Sequence, residues 1–189
     1  MDKKALRKKY QAKLNELPKP LYEHYSYLIA QSLFHSKEWK EANTIGITVS
    51  RFPEVDTFQI IRKGWEEKKK IVVPKCYPKT KTLRFRVLTA FNELESVYYG
   101  LLEPIEAKTK EVENDVIDLL IVPGLLYTKE GYRLGFGGGY YDRFLVNYTG
   151  KTLTLAFSQQ IVENLPIEEH DRPVRKIITE QGAIECNGI

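Results

Sequence analysis

The sequence predicts an α/β protein with a single-domain, three-layer αβα fold and a Rossmann-like, mostly parallel sheet with mixed edges. Short β-branched runs alternate with segments of helical periodicity, which is typical of parallel sheets. The most apolar run, residues 116–122, has the composition of a central strand. No repeat, linker or low-complexity segment divides the 189 residues, so we expect residues 1–189 to form one domain.

Three helices are predicted early in the chain. Residues 3–17 carry apolar residues at helical spacing, namely Leu6, Tyr10, Leu14 and Leu17. A second helix begins near Pro20, which suits a first helical position. Its expected buried face comprises Leu21, Tyr25, Leu28, Ile29 and Leu33. A sequence like a capping box, at Asp56, opens a third helix that extends to about Lys68.

Strands are predicted from β-branched and apolar runs. They cover residues 44–50, 70–76, 83–88, 116–122 and 152–157, with a last edge strand at 174–179. A further helix is predicted at residues 140–148, directly after a glycine-rich segment.

Composition limits the class of protein. The hydrophobic fraction of 42% and the charged fraction of 29% are typical of a globular domain. No apolar run is long enough to span a bilayer, and no apolar stretch follows the basic N-terminal residues as in a secretory signal. Cys76 and Cys186 are far apart and form no C-x-x-C pair, which argues against a disulfide framework and a structural zinc site. We therefore expect a cytoplasmic protein, active as a monomer.

The segment with the strongest functional signal is the glycine loop, residues 133–141 (Arg-Leu-Gly-Phe-Gly-Gly-Gly-Tyr-Tyr). Its glycines allow close approach of the backbone to a ligand and let N–H groups converge on an anion. Arg133 and Arg143 flank it with guanidinium groups that suit phosphate. The spacing matches neither a P-loop nor the dinucleotide fingerprint. A tight turn without a ligand is the alternative interpretation of the glycines alone.

A resemblance to a known family extends from this loop over nearly the whole chain. Residues 118–125 (Asp-Leu-Leu-Ile-Val-Pro-Gly-Leu) and 131–143 closely resemble the signature of the 5-formyltetrahydrofolate cyclo-ligase (methenyltetrahydrofolate synthetase) family. Four shorter segments support the resemblance, because they occur in the same order along the chain as in the family: residues 6–7, 54–57, 103–104 and 165–171. One departure is Thr128, where the family often has an aspartate.

The resemblance implies ATP contacts in two segments. They are Lys3, Lys4, Ala5, Leu6 and Arg7, together with Arg133, Leu134, Gly135, Phe136, Gly137, Gly138, Gly139, Tyr140 and Tyr141. Helical geometry independently places Lys3 and Arg7 at the border of the apolar stripe of the first helix, where a cation needs an anionic partner. The same geometry directs Lys4 and Lys8 away from that stripe, towards solvent.

The resemblance also implies contacts to the folate substrate. The residues are Val49, Glu54, Tyr99, Phe136, Gly137, Gly138, Gly139 and Tyr140. Glu54 follows the first strand at its carboxyl end, where ligands bind in open α/β sheets. Other roles stay open for three of them. Glu54 is also explained as an acid favoured by the dipole of the helix that follows, Val49 as an ordinary core residue, and Tyr99 as one of the many core aromatics of the chain.

Asp142 and Asp171 match the family's Mg²⁺ positions. Sparse ligation suits this cation, which takes one or two carboxylates and fills its shell with water and phosphate. From the sequence alone, Asp142 is equally an acid favoured in the first turn of a helix, and Asp171 a turn residue.

The activity that the resemblance implies is conversion of 5-formyltetrahydrofolate and ATP to 5,10-methenyltetrahydrofolate, ADP and phosphate, with Mg²⁺. Such a reaction needs no protein nucleophile, because ATP activates the formyl oxygen and the substrate's N10 closes the ring. The sequence leaves two alternatives: another ATP-dependent phosphotransferase or ligase, and an RNA-binding module that uses the basic first helix with Arg84 and Arg86. A nucleic-acid partner and a membrane are not expected, and a purely structural protein would leave residues 133–143 without a role.

Overall fold

The computed structural model describes residues 2–187, in which one large sheet lies between two layers of helices. The α-helices are α1 (Lys3–Asn15), α2 (Lys19–His35), α3 (Lys37–Glu41), α4 (Phe58–Glu66) and α5 (Tyr140–Val146). The strands are β1 (Thr44–Gly46), β2 (Lys70–Tyr77), β3 (Thr82–Val87), β4 (Leu94–Ser96), β5 (Leu102–Pro104), β6 (Leu119–Ile121), β7 (Leu126–Tyr127), β8 (Arg133–Leu134), β9 (Lys151–Leu155), β10 (Lys176–Thr179) and β11 (Gly182–Glu185).

Within the described residues the main sheet has seven strands in the order β11-β10-β9-β6-β1-β2-β3. The five central strands pair in parallel, whereas β3 and β11 pair antiparallel at the two edges. Two small antiparallel pairs, β4–β5 and β7–β8, stand apart from this sheet. The predicted α/β class and the mostly parallel sheet with mixed edges are therefore confirmed.

Alternate strand residues supply the cores on the two faces, as the period of two requires. Ile71 and Val73 of β2 belong to the core that α1, α2, α3 and α4 cover. Val72, between them, belongs to the second core, where α5 contributes Phe144 and Leu145. The arrangement is a three-layer αβα sandwich, in which the second helical layer comes from α5 alone among the described α-helices.

The first helix begins at Lys3 because Asp2 caps it. The Asp2 carboxylate accepts a hydrogen bond of 2.7 Å from the Ala5 backbone N–H. Leu14 is buried, and the other apolar residues of the predicted stripe, Leu6, Tyr10 and Leu17, pack against the core. The predicted helix and its buried face are confirmed.

The second helix buries most of the expected face, with one exception, and it also buries residues that were not expected. Ile29 and Leu33 are buried as predicted, but Leu21 is exposed, and Tyr22 and Ser26 occupy the interior. The Ser26 hydroxyl accepts a hydrogen bond of 3.2 Å from the Asp56 backbone N–H, so this buried polar residue holds the loop before α4.

Several predicted elements are longer than the observed ones. For the third helix, the backbone conformation after Glu66 explains why it ends before the predicted Lys68. It ends at Glu66 because Lys68 adopts a positive φ of 61° and the Lys69 N–H bonds back to the Gly64 carbonyl at 2.8 Å. This pattern is a Schellman motif. The predicted edge strand at 174–179 is also corrected: β10 lies inside the sheet, and β11, which the sequence did not predict, forms the edge.

The first strand ends early because the chain turns away in a buried hydrogen-bond network. The Thr57 hydroxyl accepts from the Ser50 N–H at 2.8 Å and donates to the Thr48 carbonyl at 2.6 Å, while the Ser50 hydroxyl accepts from the Thr57 N–H at 2.9 Å. These bonds fix the loop of residues 50–57, which carries Glu54, to the carboxyl end of the sheet.

We expect Thr57→Val to destabilise the protein by about 2 kcal/mol, because it leaves a buried backbone N–H and carbonyl without partners. Urea unfolding measures this change. Thr57→Ser, which keeps the hydroxyl, is the matched control and is expected to lose less than half as much. Equal losses for the two variants would show that the network contributes little.

In the chain from residue 2 to residue 187, none of the helices combines the length and the apolar character that a membrane crossing requires.

Candidate active site

A cleft of about 640 Å³ opens at the carboxyl ends of the parallel strands. Val49 lies beyond β1 and Pro123 lies beyond β6, at the edge of the sheet where ligands bind in open α/β folds. The remaining walls come from the start of α1, the β2–β3 pair, the β4–β5 hairpin, the glycine loop and residues 168–171. Distant parts of the chain thus meet in one concave site.

Most of the predicted site residues line this cleft. They are Lys3, Arg7, Val49, Glu54, Tyr99, Asp142, Asp171 and all nine residues of the glycine loop, 133–141. Lys4, Ala5 and Leu6 do not line it: Lys4 and Ala5 are exposed, and Leu6 packs against the core. For Lys4, Ala5 and Leu6 the structure therefore departs from the expected contact set, because only every third or fourth residue of a helix faces one side.

The glycine loop holds its backbone in a conformation that few other residues could adopt. Gly137 and Gly139 have positive φ angles of 106° and 69°, and Gly138 between them does not. Alternation of this kind turns successive N–H groups towards one point and forms an anion-binding nest. Within residues 2–187, no backbone N–H of residues 135–139 donates a hydrogen bond to a protein acceptor. These amides are available to a ligand.

Two arginines hold the loop from either side. The Arg7 Nε donates to the Gly135 carbonyl at 2.8 Å, and a Cβ at Gly137 would lie 3.5 Å from the Arg7 Cζ. The Arg143 Nη1 donates to the Gly138 carbonyl at 3.0 Å. Both contacts use carbonyl oxygens, so each guanidinium keeps its charge and its remaining N–H donors beside the amides.

The third arginine, Arg133, has a different environment from the one the sequence suggested. Its side chain is only 3% exposed, and its Nη2 bonds to the Asp142 Oδ1 at 2.8 Å. Its Nη1 donates to the Arg172 carbonyl at 3.0 Å. Arg133 is thus a buried ion-pair partner that joins the first turn of α5 to the segment beside Asp171.

The other predicted acid, Asp171, belongs to a small charged cluster. Lys3 Nζ lies 2.8 Å from Glu168 Oε1 and 3.7 Å from Asp171 Oδ2. Asp171 Oδ2 also accepts from the Glu168 N–H at 2.8 Å, and its side chain is 10% exposed. Through these contacts Lys3 fixes residues 168–171 against the start of α1.

The two acids fit a magnesium ion as donors. One guanidinium contacts both Asp142 and the carbonyl next to Asp171, so the two carboxylates lie at the same end of the cleft. No group of three or more His, Cys, Asp or Glu side chains suited to a metal occurs in the described residues. A site of one or two carboxylates suits Mg²⁺, which completes its shell with water and phosphate oxygens.

Glu54 also lines the cleft, and its carboxyl group has few partners in the described residues. Its Oε1 accepts from the Arg51 N–H at 3.0 Å. Burial raises the pKa of the Glu54 carboxyl above its ordinary value. A carboxyl group with a raised pKa inside a cleft is typical of a functional site.

This pKa shift predicts a pH-dependent effect of Glu54→Gln. The raised pKa means that the folded state binds the proton more tightly than the unfolded chain does. The resulting stabilisation is complete below the unfolded pKa of about 4.3 and is lost as the pH rises through the folded pKa. Above that window the ionised Glu54 lowers stability. Glu54→Gln is therefore expected to be more stable than the parent near pH 7, with a smaller difference near pH 4, in thermal melts at both pH values. A gain in stability that does not change with pH would contradict the assignment.

Aromatic side chains also line the cleft. Tyr99, at the tip of the β4–β5 hairpin, is 88% exposed with a positive φ of 55°, and Phe136 of the glycine loop is 54% exposed. Tyr141 is oriented differently, since its hydroxyl is buried without a hydrogen-bond partner in the part of the chain described. Burying a hydroxyl without a hydrogen bond is costly, so this group is an exception among the buried polar atoms of the protein.

Several residues that line the cleft were not predicted as site residues. They include Arg51, Cys76, Lys81, Glu103 and Glu168. Glu103 lies within the resembling Glu-Pro pair, and its Oε2 accepts from the Cys76 N–H at 2.9 Å. Cys76 itself is no ready nucleophile, because burial raises the pKa of its thiol to about 12.

Comparison with known proteins identifies the family of this chain. A model of the "5-formyltetrahydrofolate cyclo-ligase family" matches residues 1–180. The chain is 30% identical to a probable 5-formyltetrahydrofolate cyclo-ligase of Caenorhabditis elegans, over 94% of this chain and 92% of the relative. It is 32% identical to the 5-formyltetrahydrofolate cyclo-ligase of Escherichia coli (strain K12), over 73% of this chain and 78% of the relative.

A solved structure extends the likeness to three dimensions. The 5,10-methenyltetrahydrofolate synthetase of Aquifex aeolicus superposes with a TM-score of 0.87 at 28% identity, covering 100% of this chain and 95% of that one. The match of the family model over nearly the whole length, together with the shared fold, shows that this chain is an enzyme of the 5-formyltetrahydrofolate cyclo-ligase family.

Proposed function

We propose that this enzyme converts 5-formyltetrahydrofolate to 5,10-methenyltetrahydrofolate at the cost of one ATP, with Mg²⁺, in the cleft described above. The observation that carries the proposal is the run of unpartnered amides at residues 135–139, which shares one cleft with Glu54. The amides supply donors for a triphosphate. Tyr99 and Phe136, which also line the cleft, supply a flat apolar surface for a pterin.

The reaction has two steps, phosphorylation of the formyl oxygen and ring closure by N10. The formyl oxygen attacks the γ-phosphorus of ATP, and the bond from that phosphorus to the bridging oxygen breaks, so that ADP leaves. N10 of the same substrate then attacks the activated formyl carbon. The carbon–oxygen bond breaks, phosphate leaves, and N10 gives up its proton. The protein's contribution is to position the reactants and neutralise charge, as in other phosphoryl transfers.

The residues at the phosphate end act mainly through their charge and their N–H groups. The amides of the glycine loop and the guanidinium groups of Arg7 and Arg143 hold the triphosphate. Asp142 and Asp171 would hold Mg²⁺, which neutralises phosphate charge when it is bound. Arg133 is a positioning residue, because its side chain is only 3% exposed and is paired with Asp142, which it orients.

The residues at the folate end orient the reacting amide. Glu54 accepts hydrogen bonds from pterin N–H donors, and Tyr99 and Phe136 border the ring. The buried Tyr141 hydroxyl gains its missing partner from the bound substrates. Because N10 of the substrate attacks the formyl carbon, the protein needs no nucleophile of its own.

The charges on the outer strand argue against the RNA-binding alternative. Arg84 lies 3.7 Å from Glu111 and stacks on Tyr77, with 4.8 Å between its Cζ and the ring centroid. Arg86 donates to Thr109 and to the Glu106 carbonyl. Both cations are therefore engaged within the protein, whereas RNA binding needs a row of available ones.

The direct test is a turnover assay with purified protein, 5-formyltetrahydrofolate, ATP and Mg²⁺. The methenyl product is followed by its absorbance and ADP by a coupled assay. We expect one ADP per product, and no product when ATP is omitted or the metal is chelated. ADP release without folate, or with a non-folate acid in its place, would favour a different ATP-dependent ligase.

A further inference from the structure

Strand β2 extends beyond the strand that pairs with it on the side of the cleft. β1 pairs with the first residues of β2, and the last bond between the two segments runs from the Ile47 N–H to the Val72 carbonyl at 3.0 Å. Among the described strands, β3 alone pairs with residues 73–77 of β2. This part of β2 therefore has an open edge, and Pro74 and Cys76 from it line the cleft.

A side chain from outside the main sheet caps this open edge. The backbone groups of a strand point alternately to its two sides, so those of Pro74 and Cys76 point the same way as the Val72 carbonyl. Proline has no backbone N–H, which leaves the Cys76 N–H as the donor of this edge within β2. The Glu103 Oε2 accepts a hydrogen bond from that N–H at 2.9 Å.

Glu103 belongs to the β4–β5 hairpin, residues 94–104, which has no backbone pairing with the main sheet in the described structure. In the part of the chain that the structure describes, the polar contacts of the hairpin with that sheet involve Cys76 and Lys75 alone. Lys75 Nζ lies 3.6 Å from Glu103 Oε1 and 3.5 Å from Glu95 Oε1. The Glu95 side chain is 46% exposed, against 12% for Glu103, so water weakens the Glu95 contact more.

The tip of the hairpin carries the aromatic residue expected at the pterin. Tyr99 is 88% exposed, and the chain turns there through positive φ angles of 55° at Tyr99 and 73° at Gly100. So exposed a ring contributes little packing to hold the tip in place. Leu94 and Leu102 of the two strands pack against the core, but apolar contacts are not directional. The hydrogen bond of Glu103 has a fixed length and direction, so it sets where the hairpin lies on β2.

We propose that Glu103 is a positioning residue for the folate: by accepting from the Cys76 N–H it fixes the hairpin on the open edge of β2 and places Tyr99 beside the pterin. This inference rests on the proposed function and adds a residue to its folate end. The role needs a hydrogen-bond acceptor of the right length and no negative charge, because the donor is a neutral amide. Glutamine supplies such an acceptor, and alanine does not.

Steady-state kinetics of Glu103→Ala and Glu103→Gln test this role. Glu103→Ala is expected to raise the KM for 5-formyltetrahydrofolate roughly tenfold, as for the loss of a hydrogen bond to a charged group, with little change in kcat or in the KM for ATP. Glu103→Gln should restore most of the affinity. Glu95→Ala is the matched control and should leave both KM values unchanged, because Glu95 lies opposite Glu103 and contacts the same Lys75 but does not line the cleft.

Glu103→Asp separates the length of the side chain from its charge. Aspartate keeps the carboxylate but is one methylene shorter, so it reaches the Cys76 N–H only if the hairpin moves. We expect its KM for 5-formyltetrahydrofolate to be close to that of Glu103→Ala. Thermal melts of each variant check that it is folded, and the comparison of Glu103→Asp with Glu103→Gln stands by itself if Glu103→Ala does not fold.

A double-mutant cycle with Tyr99→Ala tests whether Glu103 acts through the tip of the hairpin. Tyr99→Ala alone is expected to raise the KM for 5-formyltetrahydrofolate, and the addition of Glu103→Ala should raise it no further. This lack of additivity, together with rescue by glutamine, would support the inference. A contribution to stability alone would lower the melting temperature without a selective change in the KM for the folate.

The outcomes separate this inference from the proposed function. Equal losses in Glu103→Ala and Glu103→Gln would overturn it, because they would give the carboxylate a direct part in the chemistry. Additive effects with Tyr99→Ala, or a KM for ATP that rises as much as that for the folate, would also overturn it and leave the activity standing. If the parent enzyme does not turn over 5-formyltetrahydrofolate, the activity and the positioning role are both rejected.

Discussion

Gly137→Val is expected to raise the KM for ATP on the order of 100-fold, with a smaller fall in kcat. Gly137 has a φ of 106°, which a β-branched residue adopts only with strain of about 1–3 kcal/mol. A Cβ there would lie 3.5 Å from the Arg7 Cζ, so the branches of valine would displace the guanidinium or cover the amides. Initial rates at varied ATP and saturating folate measure the effect.

The control for this variant is Gly182→Val at the first residue of β11. Gly182 also has a positive φ, of 131°, but a Cβ there would meet no atom within 4 Å. It therefore carries the backbone strain without the contact to the cleft. We expect it to lower the melting temperature and leave the KM for ATP unchanged. A normal KM in the Gly137 variant would show that the loop does not bind the nucleotide.

Asp142→Ala is expected to lower both stability and turnover, because Asp142 has two roles in this account. Without its carboxylate, Arg133 is left as a buried cation with a side chain only 3% exposed. Removal of one partner from a fully buried pair costs about 3–5 kcal/mol. Asp142 is 26% exposed, so we expect about 2–3 kcal/mol in urea unfolding. Turnover should fall at least 100-fold at limiting Mg²⁺, a loss measured by titration of the metal.

Asp142→Asn separates the two roles. Asparagine keeps an oxygen that can accept from Arg133, so we expect most of the stability to return. It has no charge for a metal, so turnover at limiting Mg²⁺ should stay low. Full activity of Asp142→Asn at limiting Mg²⁺ would contradict the metal assignment, and unchanged stability of Asp142→Ala would contradict the structural role.

The sequence predicts the main parallel sheet of this enzyme better than its short antiparallel strand pairs. The parallel sheet follows from local patterns, since each apolar run needs only its own composition to be recognised. The β4–β5 and β7–β8 pairs were missed because each has strands of only two or three residues. So short a run shows no periodicity, and tertiary contacts decide its conformation.

The candidate site shows the same division. The motif shows Arg133 and Arg143 as flanks of the glycine loop, but the fold buries Arg133 against Asp142 and leaves Arg143 at the loop. Arg51 and Lys81 carry no local signal, because an isolated cation in a turn has the same appearance in the sequence whether it faces a cleft or bulk solvent. Only the fold brings them to the cleft that Glu54 also lines.

The central claim is that the amides of residues 135–139 hold the triphosphate. A crystal structure with a non-hydrolysable ATP analogue, Mg²⁺ and 5-formyltetrahydrofolate tests it directly. The account predicts phosphate oxygens within hydrogen-bond distance of the Gly137, Gly138 and Gly139 N–H groups, with Arg7 beside them. A nucleotide bound elsewhere, with these amides still facing solvent or packed against protein, would contradict it.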